Sequence, residues 1–233
     1  MSIERSLSSC LAALALVVGV GCSAATHGAE PPTVLPPPAL DNPKERGTLQ
    51  TAVVAGGCFW GIQGVFEHVR GVHQVLAGYA GGSGLTAQYG EVSTGRTGHA
   101  ESVQITFDPR EVSYGELLQI YFSVAHDPTQ LNRQGPDSGS QYRSAIFYAD
   151  ATQRRIAESY IAQLQQGKSF AAPIVTRVDG LGGFFPAEGY HQDFYLKNPQ
   201  HPYIVINDLP KIRNLQALFP NHYRDSPATV GAR

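Results

Sequence analysis

Cysteine is scarce in this chain of 233 residues: Cys10, Cys22 and Cys58, with none after that. A disulfide-stapled scaffold and a cysteine-rich zinc site are both excluded. Charge of one sign is also lacking. The formal net charge is −2, so there is no electrostatic footprint for nucleic acid. The apolar run Leu11 to Val20 is too short to span a bilayer as a helix. No repeat recurs at a fixed period, which sets aside solenoid and propeller folds. The glycine-rich stretch from Gly78 to Gly84 is not followed by Gly-Lys-Ser/Thr, so it is not a phosphate loop. What is present is enough for one domain of ordinary size, with 42% hydrophobic residues to build a core.

Residues 1–22 read as an export signal: a polar start with Glu4 and Arg5, then the short apolar run. The run ends in Gly19-Val20-Gly21-Cys22, which resembles a lipoprotein cleavage box. That reading makes Cys22 a lipidated N-terminus and is preferred over ordinary cleavage near Ala24 or Ala25. The chain is accordingly expected to be exported, either periplasmic or held at a membrane as a lipoprotein. Residues 23–48 are small, polar and proline-rich, and are expected to form an extended tether. The folded domain is placed at 49–220. A tail from Asn221 to the end, at 221–233, shows no apolar period and is expected to fray.

The domain is organised around Gly56-Gly57-Cys58-Phe59-Trp60-Gly61. Thr51 to Ala55 reads as a buried strand. Ile62, Val65, Phe66 and Val69 then recur at i, i+3, i+4 and i+7, as on a helix face. Cys58 therefore sits where a strand turns into a helix, and the glycines permit the tight turn. An isolated cysteine is ordinarily a small buried hydrophobe. Here the free N–H groups of the first helical turn are expected to stabilise a thiolate, lower its pKa and make it a nucleophile. The only tryptophan, Trp60, supplies an aromatic wall beside it.

Further along, Gln74 to Tyr79 reads as a strand. In Glu101 to Phe107, Glu101 shares its parity with Val103, Ile105 and Phe107. A carboxyl group on that apolar face would keep its proton near neutral pH and could act as a general acid. The alternative is a carboxylate at a strand end that curls out to water. Ser113 and Glu116 form a capping box for a helix that ends near His126-Asp127-Pro128. Residues 144–148 read as a strand, Asp150 caps a third helix that stops at Gly167, and Pro173 to Val178 is a further strand. Strands and helices that alternate loosely argue for an α/β or α+β layer structure.

Four separated segments resemble one family, the peptide methionine sulfoxide reductases of the A type. They are GGCFWG at 56–61, TGHAE at 97–101, HDPTQLNRQGPDSGSQYRS at 126–144 and AEGYHQDFYLKNP at 187–199. The resemblance implies an α+β fold, a two-layer α/β sandwich with a ferredoxin-like core. It implies that Cys58 is the nucleophile and Glu101 the acid, with Tyr89, Tyr142 and Asp137 beside them and Phe59 and Trp60 enclosing the substrate methyl group. The implied reaction reduces the S epimer of methionine sulfoxide, free or in oxidised proteins and peptides, and leaves Cys58 as a sulfenic acid. The expected role is repair of exported proteins after oxidative stress. No bound cofactor and no metal are implied, and a monomer is expected. Many relatives carry resolving cysteines near the C-terminus, and this chain has none after Cys58. An external thiol, either thioredoxin-like or a small molecule, is therefore expected as reductant.

Three rival readings remain. A hydrolase could pair Cys58 with His99, His126 or His191. A metal could sit on His99 and Glu101, although the Pro-Cys-x-x-Cys partner of such sites is missing. A surface lipoprotein could bind a ligand without turning it over.

Overall fold

The computed structural model describes residues 32–42 and 47–231. The export region with Cys10 and Cys22, and residues 23–31 and 43–46 of the expected tether, lie outside the described residues. Among the described residues, eight strands and six helices are interspersed, with short 3-10 and π-helical turns between some of them. The strands are β1 (Gln50–Ala55), β2 (Val72–Ala80), β3 (Ala100–Phe107), β4 (Arg133–Gln134), β5 (Asp137–Ser138), β6 (Ala145–Tyr148), β7 (Arg177–Gly180) and β8 (Phe184–Pro186). The helices are α1 (Phe59–Glu67), α2 (Tyr89–Val92), α3 (Tyr114–Ile120), α4 (Ala151–Gln166), α5 (Phe194–Lys197) and α6 (Leu209–Leu218). The chain is thus a mixed α/β protein. No helix among the described residues is long and apolar enough to cross a membrane.

Six strands form one sheet in the order β7-β6-β1-β3-β2-β8, and β4 and β5 make a separate two-residue ladder. Among the described residues, only β6 and β7 pair in parallel. The side-chain period of two divides the sheet between two cores. On β1, Ala52 and Val54 join the main cluster under α1, α3 and α4, with Val103, Ile105 and Phe107 of β3. Val53 and Ala55 face a smaller cluster with Ala80, Ala100, Ala145 and Phe147. The register sets Tyr79 of β2 opposite Glu101 of β3. Glu101 therefore points into the main-core side, at the end of the sheet where β1 hands over to α1.

The caps follow their chemistry. Ser113 and Glu116 close a reciprocal capping box on α3, and Asp150 accepts from the Thr152 and Gln153 N–H groups at the start of α4. Two expectations about the ends of the chain need correction. Residues 32–42 carry no helix or strand, yet they do not hang free. Leu35 is buried, which contributes about 2 kcal/mol by its transfer from water alone. Gln119 Nε2 donates to the Leu35 carbonyl at 2.6 Å, Tyr160 to that of Pro36 at 2.8 Å and Gln163 to that of Pro37 at 2.9 Å. Asp41 accepts from the Gly115 N–H at 2.8 Å. A proline lacks the N–H but keeps its acceptor, so the proline carbonyls dock this segment, while the N–H groups of Leu35 and Ala39 donate to Ser123 Oγ at 3.2 Å and Gln163 Oε1 at 2.8 Å.

The segment after Asn221 does not fray either. Arg224 N donates to the His68 carbonyl at 2.8 Å and Ala228 N to that of Glu67 at 2.8 Å. These are carbonyls at the C-terminal end of α1, which have no acceptor role inside the helix. The tail satisfies them, and Ala228 is buried by doing so. The strand expected from Pro173 is β7 instead, and it starts at Arg177. Helix α6 had no counterpart among the expected elements.

Candidate active site

Gly57 has φ +95°, and a Cβ there would lie 2.6 Å from Gln134 Cγ. Only glycine makes that turn, and it delivers Cys58 to the N-cap of α1. Glu101 reaches the same point from β3. Its Oε2 accepts the Phe59 N–H at 3.1 Å, and the Cys58 thiol lies beside its carboxyl group. Glu101 is 2% exposed. Burial, aided by the charge of Asp137, pushes its pKa up to about 8, against the lowering by Phe59 and Cys58. The carboxyl group thus keeps its proton at neutral pH. It does not curl out to water.

The expected lowering of the Cys58 pKa does not occur. Burial, then the carboxyl groups of Glu101, Asp208 and Asp137, raise it well above its ordinary value, and only the backbone hydrogen bond to Trp60 opposes them. A helix N-terminus is a partial charge acting on an otherwise solvated sulfur. Here Cys58 is buried, 8% exposed as a residue, and its sulfur feels three acids. The resting residue is a thiol.

Arg143 brings the remaining motif segments together. Its guanidinium donates to the His99 carbonyl at 3.0 Å and the Gly98 carbonyl at 2.9 Å, while Ser140 Oγ donates to the Gly95 carbonyl at 2.8 Å. These contacts hold Tyr142 against the start of β3. Burial first, then the charges of Glu101, Asp137, Tyr89 and Cys58, raise the Tyr142 pKa. Tyr89 is raised by burial, Glu101 and Cys58. Both phenols stay neutral, so both can donate a hydrogen bond. Tyr89 is fixed through its backbone N–H, which donates to Glu188 Oε1 at 2.8 Å. Glu188 also accepts from Tyr79 at 2.8 Å.

Phe59 and Trp60 line the apolar side. Trp60 stacks on Phe194 with centroids 3.7 Å apart and an 8° tilt, and its Nε1 donates to His191 Nδ1 at 3.2 Å. Phe59 meets the edge of His191 at 5.0 Å. His191 also lies 4.5 Å from Tyr89, so it braces the slot from behind. The structure brings all seven predicted site residues to one region.

Sequence reasoning missed two more residues. Tyr203 donates to Asp137 Oδ2 and stands edge-on to Trp60 at 5.9 Å. Asp208 is fully buried and its pKa is pushed up to about 6, chiefly by burial. A Cβ on Gly61 would lie 2.2 Å from Asp208 Oδ1, which shows how closely α1 meets the π-helical turn Ile204–Asp208. No periodic or motif signal marks either residue.

The histidines have other engagements. His126 is buried, with Nδ1 on the Tyr121 carbonyl at 3.1 Å and Nε2 on Ser144 Oγ at 2.7 Å. His99 Nε2 bonds the Ser83 carbonyl at 2.9 Å, while Glu101 turns to Phe59 and Cys58. Each ring holds structure together, and neither the Cys–His pair nor the His99–Glu101 metal pair takes shape.

The fold and sequence have parallels among known proteins. In solved structures, methionine sulfoxide reductase A of Corynebacterium diphtheriae superposes with a TM-score of 0.57 at 35% identity, over 74% of this chain and 88% of that one. Reduced Mxr1 of Saccharomyces cerevisiae gives 0.59 at 29% identity, over 67% and 90%. In sequence, the peptide methionine sulfoxide reductase MsrA 2 of Mesorhizobium japonicum is 61% identical over 181 residues, 78% of this chain and 93% of its own. The protein of the same name from Synechocystis is 54% identical over 187 residues, 78% and 87%. The family model described as peptide methionine sulfoxide reductase matches residues 50–222. With that match across the whole sheet and site, this chain belongs to the peptide methionine sulfoxide reductase family, of the MsrA type, and is an oxidoreductase.

Proposed function

We propose that the chain reduces the S epimer of methionine sulfoxide, free or in oxidised proteins, through a sulfenic acid on Cys58. The observation that carries this reading is the pair made by the Cys58 thiol and a Glu101 carboxyl group that keeps its proton to about pH 8. A sulfoxide oxygen is a poor leaving group until it is protonated. Glu101 donates its proton to that oxygen, which makes the sulfur electrophilic. The carboxylate so formed takes the Cys58 proton as the sulfur attacks. Tyr89 and Tyr142 donate hydrogen bonds to the oxygen as charge shifts onto it. Phe59 and Trp60 hold the methyl group, and Asp137, anchored by Tyr203, orders the floor of the site. Oxygen passes to Cys58, methionine departs, and the sulfenic acid remains. With no cysteine after Cys58, the reductant is an external thiol, either a thioredoxin-like protein or a small molecule.

The finer architecture follows the same reading. The order β6-β1-β3-β2, with helices crossing between β1 and β2 and between β3 and β6, supports a ferredoxin-like core in a two-layer sandwich. Export, with the chain periplasmic or attached through lipid on Cys22, rests on the sequence of residues 1–22, and the role is repair of proteins oxidised there. The test is a single turnover without reductant. One methionine per chain from the S epimer, none from the R epimer, and one oxygen gained on Cys58 are expected. Methionine from the R epimer, or release without oxygen on Cys58, would contradict the reading.

A further inference from the structure

The indole of Trp60 is aimed by one hydrogen bond: its Nε1 donates to His191 Nδ1 at 3.2 Å. An indole N–H can only donate, so Nδ1 must present a lone pair. Burial lowers the pKa of His191, against the raising by Glu188, and the ring is neutral at neutral pH. A neutral imidazole carries one proton, which must then sit on Nε2. That nitrogen is buried and has no hydrogen-bond partner among the described residues.

Glu188 stands where it can hold that proton in place. Its Oε2 lies 4.0 Å from His191 Nε2, too far for a hydrogen bond but near enough for its charge to favour an N–H there. Burial works against ionisation of Glu188, but the Tyr89 N–H, its own backbone and the Tyr79 hydroxyl outweigh it and keep the pKa below the ordinary value. Oε1 accepts the Tyr89 N–H at 2.8 Å and Oε2 the Tyr79 hydroxyl at 2.8 Å, so the carboxylate cannot swing away. The turn that carries both residues is closed by the His191 N–H on the Glu188 carbonyl at 2.9 Å. Gln192 locks this turn to β2: its Oε1 accepts the Ala77 N–H at 2.9 Å, and its Nε2 donates to the Ala77 carbonyl at 2.9 Å and the Ala187 carbonyl at 3.0 Å.

We propose that Glu188 and His191 are positioning residues that set the width of the methyl slot: the carboxylate keeps the His191 proton on Nε2, and Nδ1 then holds the Trp60 indole. The inference rests on the reading above in which Phe59 and Trp60 enclose the substrate methyl group. It assigns to this pair the preference for a methyl over a larger alkyl group on the sulfoxide sulfur. Through its other oxygen Glu188 also places Tyr89, so one carboxylate sets both the apolar wall and a hydrogen-bond donor of the site. Glu188→Gln separates these duties. Its amide oxygen can still accept the Tyr89 N–H, which turns its NH2 group toward His191 Nε2, donor against donor. The ring proton then moves to Nδ1, opposes the indole N–H and releases Trp60.

The experiment compares the S epimers of methionine sulfoxide and ethionine sulfoxide on the full chain, with dithiothreitol as reductant. The parent protein should prefer the methyl substrate in kcat/KM by about tenfold or more, the usual worth of one methylene in an apolar pocket. In Glu188→Gln, KM for methionine sulfoxide should rise about fivefold with a smaller fall in kcat, and the methyl preference should drop at least about threefold. Because Trp60 is the only tryptophan, its fluorescence should change in the same variant. His191→Asn offers an amide oxygen near the place of Nδ1 and needs no choice of tautomer, so adding Glu188→Gln to it should alter the methyl preference no further. A parent-like preference with unaltered fluorescence in Glu188→Gln would overturn the proposal, as would a full further loss in the His191→Asn background. Nitrogen NMR of the parent, with His191→Asn to identify the signal, should show the His191 proton on Nε2. A proton on Nδ1 would overturn the proposal however the variants fold. A parent protein that reduces the ethyl substrate as readily as the methyl one would instead remove the slot itself, and the reading of Phe59 and Trp60 would fall with this inference.

Discussion

The two ends of α1 carry the same kind of group in different settings. Glu101, beside the N-terminal end, and Glu67, the last residue of the helix, are both buried carboxyl groups. Burial is the leading cause that pushes Glu101 up to about 8 and Glu67 up to about 9. The neighbours differ: the Phe59 N–H lowers Glu101 against burial, whereas the Asp193 carboxyl group raises Glu67 further. Around Glu101 lie a thiol, two phenols and an aromatic slot. Around Glu67 lie the Asp193 carboxyl group and the Tyr195 hydroxyl, although neither Glu67 oxygen meets a partner at full hydrogen-bond geometry. The C-terminal segment seals that end: Val230 N donates to Asp193 Oδ1 at 3.0 Å and Ala228 N to the Glu67 carbonyl at 2.8 Å. A retained proton alone therefore does not make an active site. It becomes chemistry where a nucleophile and room for a substrate stand next to it.

The sharpest way to break the comparison is to remove each proton. Glu101→Gln keeps the shape and the hydrogen-bonding amide but cannot protonate an oxygen. Single-turnover methionine release should fall about 10²- to 10⁴-fold, with the urea midpoint at neutral pH equal to or above that of the parent protein. Turnover within a factor of a few would remove Glu101 as the acid.

Glu67→Gln should do the reverse, with turnover unchanged and the pH dependence of stability altered. In the unfolded chain a glutamate ionises near 4.5, and in the folded one Glu67 ionises near 9. Unfolding therefore releases a proton across that window, and the parent protein loses stability as pH rises, by at most about 1.4 kcal/mol per pH unit. The glutamine variant lacks this slope. Urea midpoints from pH 5 to 9 should diverge in its favour, and parallel curves would contradict the retained proton.

Tyr203→Phe should give the smallest effect. It strips Asp137 of its phenol donor while leaving the ring against Trp60, so methionine release should drop about tenfold or less. No change would reduce Tyr203 to a packing residue.

Much of the Glu101 end could be read from the chain itself. Glycines before Cys58 and an i, i+3, i+4 pattern after it locate the turn into α1, and strand parity puts Glu101 on the buried face. The sign of the Cys58 shift could not be read there, because it comes first from burial and then from Glu101, Asp208 and Asp137, which are 43, 150 and 79 positions away and reach the thiol only through folding. Tyr203 escaped notice for the same reason. The docked segment around Leu35 reads as a tether by composition, since the donors that hold it, Gln119, Tyr160 and Gln163, sit on distant helices. The Glu67 end has no motif at all. A terminal glutamate on a helix looks like a solvated charge until the C-terminal segment folds over it.

The most direct test of a proton held by Glu101 is the pH profile of single-turnover methionine release from the S epimer. With Glu101 as acid and Cys58 as a thiol, the rate should be level through neutral pH and fall as pH rises through about 8, and this limb should vanish in Glu101→Gln. A rate that instead climbs through that range would mean that thiolate formation limits the reaction, and the account of a retained proton at Glu101 would be wrong.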